Sequence, residues 1–368
     1  MKKLAVIGAS YLQLPLIQKA KEMGIECHCF AWEDGAVCKD IADFFYPISI
    51  LEKEQILEIC QTVKIDGITS IASDAAVPTI CYVAEKMGLI SNQYTDALIT
   101  TDKYKMRQSF YKNGVSSPQF VFGEDAMSVN LKYPVIVKPT DRSGSRGVLK
   151  IKKKEDLSNA INRAKKESFS RRAIVEEYIF GKEVSVESIS YKGKHYILAI
   201  TDKITTGDPY FVELEHHQPS MQPTDVQKKI KLETLKALDA LNVLYGASHT
   251  EIKITEEGEV YLIEVGARMG GDFIGSDLVQ LSTGYDFLKG VIQIALNEFE
   301  IPAISKQWYS GIYFLSKETE FLKEIVENSD RHPEIVKAEI IEDNFKNIES
   351  SADRSGYFIY QGNQKFLI

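Results

Sequence analysis

The sequence predicts an α/β protein in which an N-terminal parallel sheet, covered by helices on both faces, is followed by a strand-rich region that contains a β-hairpin. Three observations carry this. Residues 1–92 alternate apolar strands with helical stretches, strand-rich segments dominate after Pro118, and residues 249–264 read as a hairpin. Repeated βα units imply parallel pairing, because each crossover returns the chain to the same end of the sheet.

In the first part, residues 4–7, 25–30 and 67–71 are strand-like runs, and 12–23, 56–63 and 77–87 carry apolar residues at helical spacing. The first turn, Gly8-Ala9-Ser10-Tyr11, holds a single glycine, so the G-x-G-x-x-G fingerprint of dinucleotide binding is absent. Ser73 and Asp74 follow the third strand at the carboxyl edge of the sheet, where ligands of such folds bind. Capping of the next helix is the plainer reading of Asp74.

A helix starts at Asp102 and ends near Asn113-Gly114. Residues 133–139 form a strand that delivers Lys138 near its end, and residues 140–147 are a loop of small and basic residues leading to a strand at 148–151. Such a loop can lay backbone N–H groups, hydroxyls and guanidinium against phosphate, or be a mobile surface hairpin. It is not a P-loop, since G-x-x-x-x-G-K-[ST] occurs nowhere. Strands at 173–179, 184–190, 194–201 and 210–215 precede a long helix at 224–241, and helices at 274–281 and 285–296 follow the hairpin. The expected domains are 1–92, 93–300 with a subdomain at about 116–180, and a small C-terminal α+β unit at 301–368.

Composition narrows the class. The 368 residues are 44% hydrophobic and 26% charged, ordinary values for a globular chain. A net charge of −8 without a basic stripe argues against a nucleic-acid partner. No apolar span approaches the roughly 18 residues of a membrane helix, and the run after Lys3 is too short for a signal peptide. Five cysteines, odd in number and confined to the first quarter, point to a reducing cytoplasm. Cys27-His28-Cys29 lacks metal-ligand spacing and reads as a buried strand.

The hairpin carries the chemistry. With its turn at Glu257-Gly258, counting outward pairs Ile254 with Tyr261, Ile252 with Ile263 and Glu251 with Glu264. Like charges on opposed strand positions are destabilising, so a cation should lie between them: Lys253, solvent, or a divalent ion. The Gly266–Asp272 stretch that follows is glycine-rich and contains Arg268. Mg²⁺ takes one or two carboxylates plus substrate phosphates, which fits half of a Mg²⁺-nucleotide site.

Together these pieces resemble the ATP-grasp superfamily over residues 1 to about 300, particularly its amino-acid and peptide ligases and its carbamoyl-phosphate-synthetase-like members. The resemblance implies an ATP-grasp fold with an N-terminal α/β domain, a mobile lid and a central antiparallel domain. It implies ATP and Mg²⁺ (or Mn²⁺) as cofactors and an ADP-forming ligase that activates a carboxylate as an acyl phosphate. By resemblance, Lys103 and Lys138 contact phosphates, the loop with Ser143, Gly144 and Ser145 closes over them, and Glu176, Glu177 and Ile179 lie on the hinge strand at the adenine. Glu183 matches the ribose-binding glutamate, Glu251 and Glu264 the metal ligands, and Arg268 the arginine that steadies the transferred group. Gly266 departs from the pattern, since many relatives carry an asparagine ligand there. Lys138, Lys203 and Arg268 are the catalytic candidates, and Lys203, Glu215, His217, His249 and Arg268 the acceptor-pocket candidates; each histidine is also readable as structural. The expected partners are a small carboxylate and an amine, and a homodimer is admitted. Competing readings are a bicarbonate-activating carboxyphosphate enzyme, a non-catalytic ATP-binding module, and a subunit active only in a complex.

Overall fold

A computed structural model describes residues 1–128, 130 and 132–368, and its strands form three sheets. The first comprises β1 (Lys3–Ile7), β2 (Glu26–Phe30), β3 (Phe44–Tyr46) and β4 (Gly67–Thr69), ordered β3-β2-β1-β4 with every pairing parallel. The apolar run of β1 is continuous because both faces are covered. Leu4 and Val6 join the core under helix Leu14–Glu22, while Ala5 and Ile7 join the core under helices Lys53–Val63 and Val77–Met87. All five cysteines are buried and free. His28 bonds Glu26 and Tyr46, as a strand residue between helical layers does.

The second sheet comprises β5 (Phe120–Phe122), β6 (Val135–Pro139), β7 (Leu149–Ile151) and β8 (Ala173–Glu177), ordered β5-β8-β6-β7 and antiparallel. Helix Leu157–Glu167, absent from the sequence expectations, packs Leu157, Ala160, Ile161 and Ala164 onto it.

The third sheet has eight strands: β9 (Lys182–Tyr191), β10 (Lys194–Thr205), β11 (Glu213–Gln218), β12 (Gly246–Ile254), β13 (Val260–Gly266), β14 (Tyr309–Leu315), β15 (Ile335–Ile340) and β16 (Gly356–Gly362). Their order is β13-β12-β9-β10-β11-β14-β16-β15. The strands expected as a separate C-terminal unit therefore extend the central sheet. Pairing β14 onto β11 satisfies backbone groups that a free edge would leave exposed.

The hairpin corrects one expectation. Glu251 does oppose Glu264, but Ile252 pairs with Leu262, Lys253 with Tyr261 and Ile254 with Val260. The inner register is one residue off the count, and a bulge between Glu251 and Ile252 restores it at the acidic rung. Gly258 adopts the expected positive φ of 76° in the turn. Among the described residues, no helix is long and apolar enough to cross a membrane.

Candidate functional site

The three sheets enclose a cleft with a cavity volume of about 190 Å³. Lys103, Lys138, Ser143, Gly144, Ser145, Glu176, Glu177, Ile179, Glu183, His249, Glu251, Glu264 and Arg268 all line it. A larger cavity of about 610 Å³ lies on the carboxyl edge of the first sheet, and Asp74, Lys103, Arg142, Ser143 and Glu264 border both.

Lys103 opens helix Lys103–Lys112, which Asp102 caps by accepting from the Tyr104 and Lys105 N–H groups. The cap aims the Lys103 side chain along the helix start, where Nζ lies 2.7 Å from Glu264 Oε1 and donates to the Arg142 carbonyl at 2.6 Å. Burial would lower this ammonium's pKa, but Glu264, with Asp74 and Glu251 beyond it, raises it overall. Four residues on, one helical turn away, Arg107 is fully buried and places Nε 2.9 Å from Glu176.

Glu176 also receives Lys138 Nζ at 2.7 Å. Burial pushes the Lys138 pKa down, and Glu176 offsets this only in part because Arg107 competes for the same carboxylate; the net shift is downward. The Glu176 carboxyl, raised by burial, is held below its ordinary range by Arg107 and Lys138.

At the other end, Lys203 has Glu251 at 3.0 Å, Glu183 at 3.1 Å and Glu213 at 3.3 Å. Burial opposes its charge, but the three carboxylates push the lysine well above its usual pKa. Lys203 in turn holds Glu251 well below the carboxylate range, against the effect of burial. Lys253, the residue weighed as the counter-charge for the acidic pair, instead reaches Glu183 at 3.0 Å.

His249 Nδ1 pairs closely with Glu187, which is fully buried and also accepts the Gly270 N–H at 3.0 Å. Its Nε2 faces Glu251 Oε1 at 3.6 Å. Burial lowers the imidazole pKa, but Glu187 overcomes this and brings it to about 9, so the ring is cationic at neutral pH. Arg268 forms a side-on pair with Asp74. Asp74 is not a helix cap, because its carboxylate is spent on that pair and the short turn Asp74–Ala76 takes no side-chain cap among the described residues.

Two acceptor candidates are misplaced by the sequence reading. Glu215 and His217 line neither cavity; His217 bonds Glu215 at 2.8 Å and the Tyr360 hydroxyl at 3.0 Å. On β11 it is His216 that opposes Lys203, so period-two alternation sends its neighbours to the far face, against Tyr313 and Tyr360. Residues missed in the sequence are Arg107, Glu187 and Glu213. Helical spacing from Lys103 was a usable signal for Arg107; Glu187 and Glu213 become visible only once strands pair.

Among the described residues, no group of three or more His, Cys, Asp or Glu side chains is arranged to hold a metal by itself. A cation on the opposed Glu251 and Glu264 would need further oxygens from a bound phosphate, which is how Mg²⁺ is commonly held. The donor set fits such an ion. The cleft thus presents carboxylates at one end and Lys138 and Arg142 toward the other, with Lys103 between them on Glu264 and the Arg142 carbonyl.

Residues 131–277 match the family model of the ATP-grasp domain. The alanine--anticapsin ligase of Bacillus subtilis (strain 168) is 30% identical over 278 residues, covering 65% of this chain and 58% of that protein. The chain thus spans less than two thirds of the length of that curated relative. The crystal structure of L-amino acid ligase from Bacillus licheniformis matches with a TM-score of 0.84 at 23% identity, covering 99% of this chain and 94% of that one. Phosphoribosylglycinamide synthetase from Anaerococcus prevotii matches over the same shares with a TM-score of 0.78, also at 23% identity. Fold and cleft define the class, an α/β protein of ATP-grasp architecture. Over residues 131–277 the chain is similar to the ATP-grasp family.

Proposed function

We propose that this chain is an ATP-dependent, ADP-forming carboxylate-amine ligase that joins an amino acid or similar carboxylate to an amine. The observation that carries it is the direct opposition of Glu251 and Glu264 across β12 and β13, at the anionic end of a cleft whose other end is cationic. The ligase names borne by the relatives support the same reading.

In this reading Glu251 and Glu264 would hold Mg²⁺, which when bound would supply neutralisation of the phosphate charge. Lys103 and Lys138 take phosphate oxygens, and the Ser143-Gly144-Ser145 loop lies over them, excluding water that would hydrolyse an activated acyl group. Glu177 and Ile179 offer backbone groups to the adenine edge, and Glu183 takes the ribose. An oxygen of the acid attacks the γ-phosphorus; the bond to the β–γ bridging oxygen breaks and ADP leaves. The amine nitrogen then attacks the acyl carbon, the carbon–oxygen bond to phosphate breaks, nitrogen loses a proton, and inorganic phosphate departs. Arg268 and the lysines stabilise the charge that develops on the transferred group. Lys203 and His249 remain acceptor-side candidates; Glu215 and His217 are withdrawn.

The test is ADP release measured with amino acids singly and in pairs. The ligase reading expects a signal that needs both an acid and an amine. Release stimulated by bicarbonate alone would assign a carboxyphosphate enzyme. ATP binding with no ADP formed across the whole panel would leave a nucleotide-binding module.

A further inference from the structure

We propose that Asp74 is a positioning residue for Arg268, and that position 266 is glycine because the Asp74–Arg268 pair fills the space a side chain there would need. The inference rests on the ligase reading for its kinetic part only.

Asp74 comes from the short turn that follows β4 of the first sheet and Arg268 from the loop after β13, so the pair joins parts of the chain 194 positions apart. Arg268 Nε donates to Asp74 Oδ1 at 3.1 Å and Nη2 to Oδ2 at 2.9 Å. This side-on geometry uses one edge of the guanidinium and fixes its plane. The Nη1–Nη2 edge, engaged among the described residues only by the Met269 carbonyl at 3.3 Å, remains for an anion in the cleft that Arg268 lines. The two loops are also stitched by the Ala72 N–H donating to the Met269 carbonyl at 3.1 Å. Ala72 holds a left-handed φ of 57° there, a conformation that is unfavourable for a non-glycine residue and persists where the surroundings impose it.

Gly266 sits beneath this pair. A Cβ at that position would lie 2.7 Å from Asp74 Oδ1 and 3.1 Å from Arg268 Cζ. An asparagine side chain at position 266 and this ion pair would therefore compete for one volume. Asp74 also borders both cavities, so the pair stands on the partition between the nucleotide cleft and the space over the first sheet.

The experiment is a double-mutant cycle on the full chain with Asp74→Ala, Gly266→Asn and the combined variant. With a saturating acid–amine pair, each single variant should lower kcat about 100-fold, the scale of a misplaced catalytic group. The KM for ATP should stay within about threefold, because the group acts on the transferred phosphoryl and not on nucleotide binding. The combined variant should be no worse than either alone. Millimolar formate should partly restore Asp74→Ala and leave Arg268→Ala unrestored. Thermal midpoints of the same four proteins read the coupling without turnover, and the two substitutions should again be non-additive. Additive losses in kcat or in thermal midpoint, or an Asp74→Ala enzyme with wild-type kcat, would overturn the inference. A wild-type protein that forms no ADP with any pair defeats the ligase reading instead, and the melting cycle still decides the packing claim.

Discussion

Lys203 and Lys138 are both buried, Lys138 lining the cleft and Lys203 paired to carboxylates that line it, yet their pKa values move in opposite directions. Around Lys203 one ammonium faces Glu183, Glu213 and Glu251. Around Lys138 one carboxylate, Glu176, is shared with Arg107. The charges nearest Lys203 are anionic, although Lys253 and the cationic His249 ring share Glu183 and Glu251; the second end has cations in excess and favours an added anion. A metal-bound polyphosphate lying along the cleft would balance both. The difference shows that the charge of a neighbourhood, and not the residue type, determines what each end can bind.

The sharpest way to break this comparison is at the acidic rung. Glu264→Ala should cut ADP formation at least about a thousandfold while the circular dichroism spectrum stays native, since the proposed Mg²⁺ site would lose one of its two carboxylates. Turnover within tenfold of wild type would remove the metal from the anionic end. At the cationic end, Lys138→Ala leaves Arg107 on Glu176 and should fold normally. It should raise the KM for ATP about tenfold or more, and an unchanged ATP dependence would take Lys138 out of the phosphate site.

A smaller effect tests the imbalance itself. Lys203→Met leaves three carboxylates facing one another and should cost about 3 kcal/mol, the lower range for breaking a buried ion pair. Added Mg²⁺ should recover part of the lost thermal midpoint, and no recovery would mean that this end has no appetite for cations. The smallest effect concerns His249. Its pKa is raised from 6.5 to about 9, so its stabilising contribution is complete below about pH 6.5 and vanishes as pH rises through 9. The melting difference between wild type and His249→Gln should therefore be largest in mild acid and close in alkali. A gap that widens with pH would show that the ring is neutral in the folded protein.

Several of these features were legible in the sequence. The acidic rung was found from a turn glycine and period-two alternation, although the inner pairs were miscounted by one and a bulge compensated. The parallel N-terminal sheet was readable because buried strands leave continuous apolar runs. What escaped depended on long-range pairing. Glu215 and His217 were chosen over Glu213 because strand alternation fixes two faces but not which face meets the cleft. Asp74 looked like a cap because its true partner, Arg268, lies 194 positions away. Residues 301–368 showed no interpretable motif, since their strands serve as an extension of a sheet begun far upstream.

That extension has a consequence for handling the protein. β14 bonds to β11 along its length, and Arg354, stacked on Phe314, reaches Asp272 at 2.9 Å and the Glu213 carbonyl at 2.9 Å. The connecting segment ahead of β14 exposes Ile301, Ile304 and Trp308 and contains Lys306. Limited trypsin treatment should nick the backbone there without releasing the tail, giving two fragments on a denaturing gel that co-elute as one species in native buffer.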